Sequence, residues 1–172
     1  MLNRIRRPLL GLVGPLLAFS FVQPSQAAGA LSNYTINHVI DWFFRGQTFT
    51  PPATIYVALA TTTPTQAACG TEAAYTGYAR VGVSSSLLNW AGTQAAGSTT
   101  ASTGTSGQTS NNAVITFGAP TSGPTVVTAF CIFDALTGGN YLGGALLTTS
   151  KTINASDPAP SFAIGALTWT LD

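Results

Sequence analysis

Charge is what this sequence has least of. Only 6% of its 172 residues are charged, against ~25% in an ordinary soluble domain. Three of its six basic residues, Arg4, Arg6 and Arg7, stand in the first seven positions. From Ala28 onward three basic residues (Arg45, Arg80, Lys151) face five acids (Asp41, Glu72, Asp134, Asp157, Asp172), a net of −2. That leaves no basic patch to follow a phosphate backbone, which excludes nucleic acid as a partner. Histidine is equally scarce: His38 alone cannot close a metal site, and it has no evident partner for general-base work. No GxSxG elbow, phosphate loop or HExxH helix occurs, so the residues point to no cofactor, no metal and no catalytic centre. A surface this poor in charge also has little repulsion to keep copies apart, which leans towards an assembly.

What the chain has in abundance is alternation and turn chemistry. Val126 to Leu147, VVTAFCIFDALTGGNYLGGALL, begins as a run of β-branched and aromatic residues apolar on both faces, which predicts a strand buried on both sides. Asp134 can bond its own backbone, and Gly138, Gly139 and Asn140 tolerate positive φ. Tyr141 to Leu147 resumes as a strand, so the unit predicts a central hairpin.

Leu31 to Arg45, LSNYTINHVIDWFFR, predicts the one helix. Ser32 suits the N-cap, and Ile36, Val39, Ile40, Phe43 and Phe44 recur at spacings of three and four. Asp41 and Arg45 form an i,i+4 pair and Gly46 closes the helix. The apolar stripe, with Trp42 beside it, predicts packing beneath a sheet. His38 falls on the polar side.

After Pro51-Pro52, Ala53 to Ala60 alternates as a strand. Thr61 to Thr76 reads as a polar loop, Gly77 to Val83 as a strand, and Ser84 to Trp90 fits either element. Residues 91–112 are low-complexity Ser, Thr, Gly, Ala, Gln and Asn, with no large apolar side chain. Such a segment reads by default as flexible, or else as a contact loop ordered by neighbouring copies. Ala113 to Phe117 and Lys151 to Asn154 predict short strands. In the last segment Phe162 and Ile164 are even-numbered but Leu167, Trp169 and Leu171 odd, which predicts a bulge at Gly165-Ala166. Seven or eight strands with one early helix predict a mainly β fold: an antiparallel β-sandwich or jelly-roll-like domain with one short N-terminal α-helix.

Residues 1–27 follow the secretory pattern, with a basic start, the apolar run Leu9 to Val22, and small residues at Ser25-Gln26-Ala27; Ala28-Gly29-Ala30 offers a second cleavage point. On that reading 28–172 is a single domain, and any membrane contact comes through the leader alone. Two cysteines remain, Cys69 and Cys131. An exported chain permits a disulfide between them; the other reading makes Cys131 a small buried hydrophobe in its strand.

Glu72 and Asp134 are the acids worth weighing as a carboxylate pair, since glycoside hydrolysis needs only two. Turn capping for Asp134 and solvation for Glu72 fit their surroundings better. Asn33-Tyr34-Thr35 and Asn154-Ala155-Ser156 match the glycosylation sequon, which matters only in a host that glycosylates.

Taken in order, seven segments form a pattern: the helix Leu31–Gly46, Pro51–Leu59 (TIYVAL), Gly77–Val81 (GYARV), Ala113–Phe117 (ITF), Phe130–Leu142 (FxIFDAxTGGNxL), Lys151–Ile153, and Phe162–Asp172 ending TWTLD. This order resembles a family of small bacteriophage virion proteins of the tail-fibre-like type. The resemblance implies a non-enzymatic structural protein, a many-copy subunit of a tail fibre, tail appendage or capsid surface. Its partners would be copies of itself and other virion proteins, and it brings no catalytic residues to transfer. The signal-like start favours an alternative, an exported bacterial surface or filament subunit, or a carbohydrate-binding module. In that last case exposed aromatics would stack on a sugar ring, although Trp42, Trp90 and Trp169 read more readily as core residues.

Overall fold

The structure is a computed structural model that describes residues 30–171 and the backbone of Ser20–Phe21. The rest of the signal-like segment lies outside the described residues. The elements in chain order are β1 (Ser20–Phe21), β2 (Ala30–Leu31), α1 (Asn33–Arg45), β3 (Thr54–Ala60) and β4 (Val81–Ser84). There follow β5 (Gln108–Ser110), β6 (Ile115–Thr116), β7 (Thr125–Phe133), β8 (Tyr141–Ile153), β9 (Ser161–Phe162) and β10 (Thr168–Thr170). A five-stranded antiparallel sheet, ordered β2-β8-β7-β3-β4, carries the fold. Two smaller ladders, β1-β9-β6 and β10-β5, face it. The mainly β, antiparallel architecture with one short helix is the one the sequence predicts.

β7 and β8 form the central hairpin, and from Ala129 to Phe133 both faces of β7 are covered, as its doubly apolar run requires, whereas Val126 near its start is 48% exposed. Val127 and Phe130 share the inner core with Val57, Leu59, Ile115, Phe162, Leu167 and Trp169. Regular alternation would put Val127 and Phe130 on opposite faces. A register shift reconciles them: Val127 pairs with Lys151 but Ala129 with Leu146, so Thr128 alone stands against Leu147–Ser150. The lysine-bearing segment is therefore the far end of β8, not a strand of its own.

The other face of the sheet carries Ala58, Ala60, Ala129 and Cys131. Small side chains there let the 61–76 loop lie close. Ala73 N–H donates to the Leu59 carbonyl and Thr61 N–H to the Thr71 carbonyl, both at 2.8 Å, and a Cys69–Cys131 disulfide staples the loop to mid-β7, Cα atoms 5.8 Å apart.

Three local expectations change. The GYARV and ITF segments contribute shorter ladders than predicted, Val81–Ser84 and Ile115–Thr116. The parity break near the end of the chain is a turn rather than a bulge: residues 164–166 carry the chain from β9 in one ladder to β10 in the other. Buried Asn111 holds that turn. It donates from Nδ2 to the Ala113 and Ala163 carbonyls at 2.8 Å, and its Oδ1 accepts the Leu167 N–H at 2.9 Å. The 91–112 segment is laced by its own polar groups, with Gln94 bonded to Thr100 and Thr103 and Ser98 Oγ accepting from Gly92 N–H.

Candidate assembly surface

The largest departure from expectation is α1. Its ends form as predicted: Ser32 Oγ accepts the Thr35 N–H at 3.1 Å, and Gly46 takes φ +64° with its N–H on the Asp41 carbonyl. Its root is tied to the sheet, because Thr35 Oγ1 and Ser32 N–H both donate to the Leu142 carbonyl, at 2.8 and 3.0 Å. Beyond that root the helix leaves the body. No residue of α1 is buried. Ile40 is 44% exposed, Trp42 55%, Phe43 67% and Phe44 83%. Ile36 and Val39 near the root are half-buried, but the outer part of the stripe expected beneath the chain's own sheet is turned to solvent, since the faces of that sheet are already covered by the inner core and the stapled loop. An amphipathic pattern states that a face wants cover, not whose cover it is.

His38 stands between two rings, edge-on to Tyr34 at 4.4 Å and stacked on Phe49 at 5.2 Å. Asp41 and Arg45 pair at 2.8 Å along the helix. At the root, Leu31, Phe49, Ile55, Trp169 and Leu171 line an apolar pocket of about 320 Å³. Trp90 borders it too, so of the three tryptophans only Trp42 offers a largely open ring.

The hairpin tip is the second built feature. Asp134 receives the Asn140 N–H on Oδ1 at 2.6 Å and the Asn140 Nδ2 on Oδ2 at 2.7 Å. Gly138 and Gly139 turn through φ +60° and +72°; a Cβ on Gly139 would lie 2.5 Å from Asp134 Oδ1, so only glycine fits there. Glu72 is not a free solvated acid, as its sequence context suggested. Arg80 Nε meets its carboxylate at 3.1–3.2 Å and Nη2 meets it again, while Nη1 donates to the Ala135 and Gly138 carbonyls at 2.9 and 2.8 Å. Tyr78 completes the cluster by donating to Glu72 Oε2 and accepting the Leu59 N–H, both at 3.0 Å. Burial raises the Tyr78 hydroxyl pKa, and the adjacent Glu72 charge raises it further.

Glu72 and Asp134 are thus each engaged by structural partners. Arg80 and Tyr78 escaped notice as site residues because GYARV reads only as a strand; the one signal was an arginine set among apolar neighbours. Among the described residues no group of three His, Cys, Asp or Glu side chains is placed to hold a metal, and no helix is long and apolar enough to cross a membrane.

Comparison with curated proteins returns no match. The family comparison covers nearly the whole described chain: residues 30–170 match the family described as podophage GP4 fiber I protein gp80. Every segment of the seven-part pattern falls wholly or almost wholly inside that span, and the chain belongs to this phage fibre protein family.

Proposed function

We propose that this phage fibre protein is a non-enzymatic, many-copy subunit of the virion, built to present a rigid β body and an apolar helix to neighbouring subunits. The observation that carries this reading is the family match over residues 30–170. Two features of the chain support it. Its charged side chains of greatest chemical interest are bound up in structure: Glu72 with Arg80, Asp134 with Asn140, Asp41 with Arg45. Its exposed surface carries large apolar side chains, with Leu87, Leu88, Val114, Leu136 and Ile164 joining those of α1, as expected of a protein whose working surface is another protein.

Mass spectrometry of purified particles tests the assignment, with the chain expected at a stoichiometry of many copies per particle. Its absence from particles would defeat the fibre subunit role. A hydrolytic activity of the purified chain that is lost in Glu72→Gln or Asp134→Asn would defeat the non-enzymatic part.

A further inference from the structure

We infer that α1 is the element through which copies of this chain join, its Ile36–Ile40–Phe43 seam packing against the same helix of a neighbouring copy. This names the partner for the many-copy reading above and rests on it. The spacing is the first argument. Ile36, Ile40 and Phe43 follow one another at four and then three residues, the alternation that keeps a seam facing a partner helix. The second is direction. α1 faces its own body through Thr35, bonded to Leu142, and His38, stacked on Phe49. At about 100° per residue these lie on a different side from the seam.

Area is the third argument. Aromatic side chains offer about 150–250 Å² each, so Phe43, 67% exposed, and Phe44, 83% exposed, leave roughly 220–380 Å² open on and beside the seam. That approaches the largest apolar patch of an ordinary monomer and is about a third of the ~800 Å² per partner in a stable complex. Ile40, 44% exposed, extends it along the seam. In a many-copy array each contact is also reinforced by the others.

Charge selects the partner. Helices that lie on membranes carry a polar face rich in Lys and Arg. The only cation on α1 is Arg45, already paired with Asp41 at 2.8 Å. The seam itself holds no charge, so a second copy of the same helix meets nothing that must be desolvated unpaired.

The test uses the full chain without detergent. Sedimentation velocity across a concentration series should show reversible oligomers for the wild type. Ile40→Asp/Phe43→Asp should shift them to monomer by at least tenfold in concentration, with the thermal midpoint by circular dichroism unchanged, and Phe43→Leu should retain association. A photo-crosslinker placed at Phe44 should yield species of twice the chain mass. A wild type monomeric throughout, an aspartate variant that associates as before, a crosslink to residues 1–27 of the same chain, or association seen only with phosphatidylcholine vesicles would each overturn the inference. Particle mass spectrometry separates this from the fibre reading: a chain present in particles whose aspartate variant still associates removes the helix seam and leaves the subunit role.

Discussion

The Arg80 guanidinium lies over the Phe133 ring, 3.4 Å from its centroid. That placement ties Glu72 in the 61–76 loop to the tip of the β7–β8 hairpin, through Phe133 at the end of β7 and the turn carbonyls of Ala135 and Gly138. The arginine side chain is only 9% exposed, and its planar fork supplies five donors where an ammonium supplies three. The two motifs GYARV and FxIFDAxTGGNxL are thus halves of one contact.

Removing that fork leaves a partly buried carboxylate and two carbonyls without their donor. Arg80→Ala should cost about 3 kcal/mol, the scale for breaking a buried pair from one side. Arg80→Lys should recover less than half, since lysine neither stacks nor reaches four acceptors. The check is a urea midpoint shifted with an unchanged slope. A lysine variant as stable as wild type would show that charge alone suffices.

The Cys69–Cys131 bridge closes a 62-residue separation. In the chain-entropy account a loop of that length contributes about 4 kcal/mol. The double variant Cys69→Ala/Cys131→Ala should therefore melt well below wild type under oxidising conditions and match it once the wild type is reduced. Intact mass under non-reducing, alkylating conditions should show no free thiol in the wild type. Two alkylated cysteines in protein that still melts at the wild-type temperature would count against the bridge as a stabiliser.

Asn111 makes a sharper test, because both ends of its amide are used. Asn111→Asp keeps the acceptor for Leu167 N–H but cannot donate to Ala113 and Ala163. It also turns carboxylate oxygen towards those carbonyls. Asn111→Ala removes all three bonds. Each should cost about 2–4 kcal/mol, with the aspartate variant the worse near neutral pH and recovering as pH falls towards 4.

Residue pattern made the hairpin, α1 with both caps, β3 and the Asp134–Asn140 turn legible, because each is governed by local periodicity or by positive φ. What stayed hidden depends on contacts across the chain. Asn111 sits in a stretch that by composition looks featureless, and only tertiary placement reveals its amide as a hub. The register shift at Thr128 requires the partner strand. The solvent-facing stripe of α1 has the same sequence signature as a packed one, so exposure was not written in it. Glu72 seemed free because its partner lies eight residues on, just ahead of β4, in a segment whose direction relative to the loop no periodicity states.

Alkaline pH reports the burial of three tyrosines, and phenylalanine variants at neutral pH separate one that has a hydrogen-bond partner from one that lacks it. Burial pushes the Tyr75 and Tyr141 hydroxyls up to about 12, and raises Tyr78 as well. Unfolded tyrosine ionises near 10, so between about pH 10 and 12 the unfolded chain sheds protons that the folded chain keeps. Stability is therefore complete below pH 10 and falls as pH rises through that window. Absorbance at 295 nm should show these three titrating together with unfolding. The hydroxyl of Tyr75 donates to the Gly118 carbonyl at 3.1 Å, whereas that of Tyr141 has no partner among the described residues. At neutral pH Tyr75→Phe should then cost about 1 kcal/mol and Tyr141→Phe nothing, or even stabilise. Above pH 10 Tyr141→Phe should lose stability less steeply than wild type. Equal losses for the two phenylalanine variants at pH 7 would mean that Tyr141 has a hydrogen-bond partner after all.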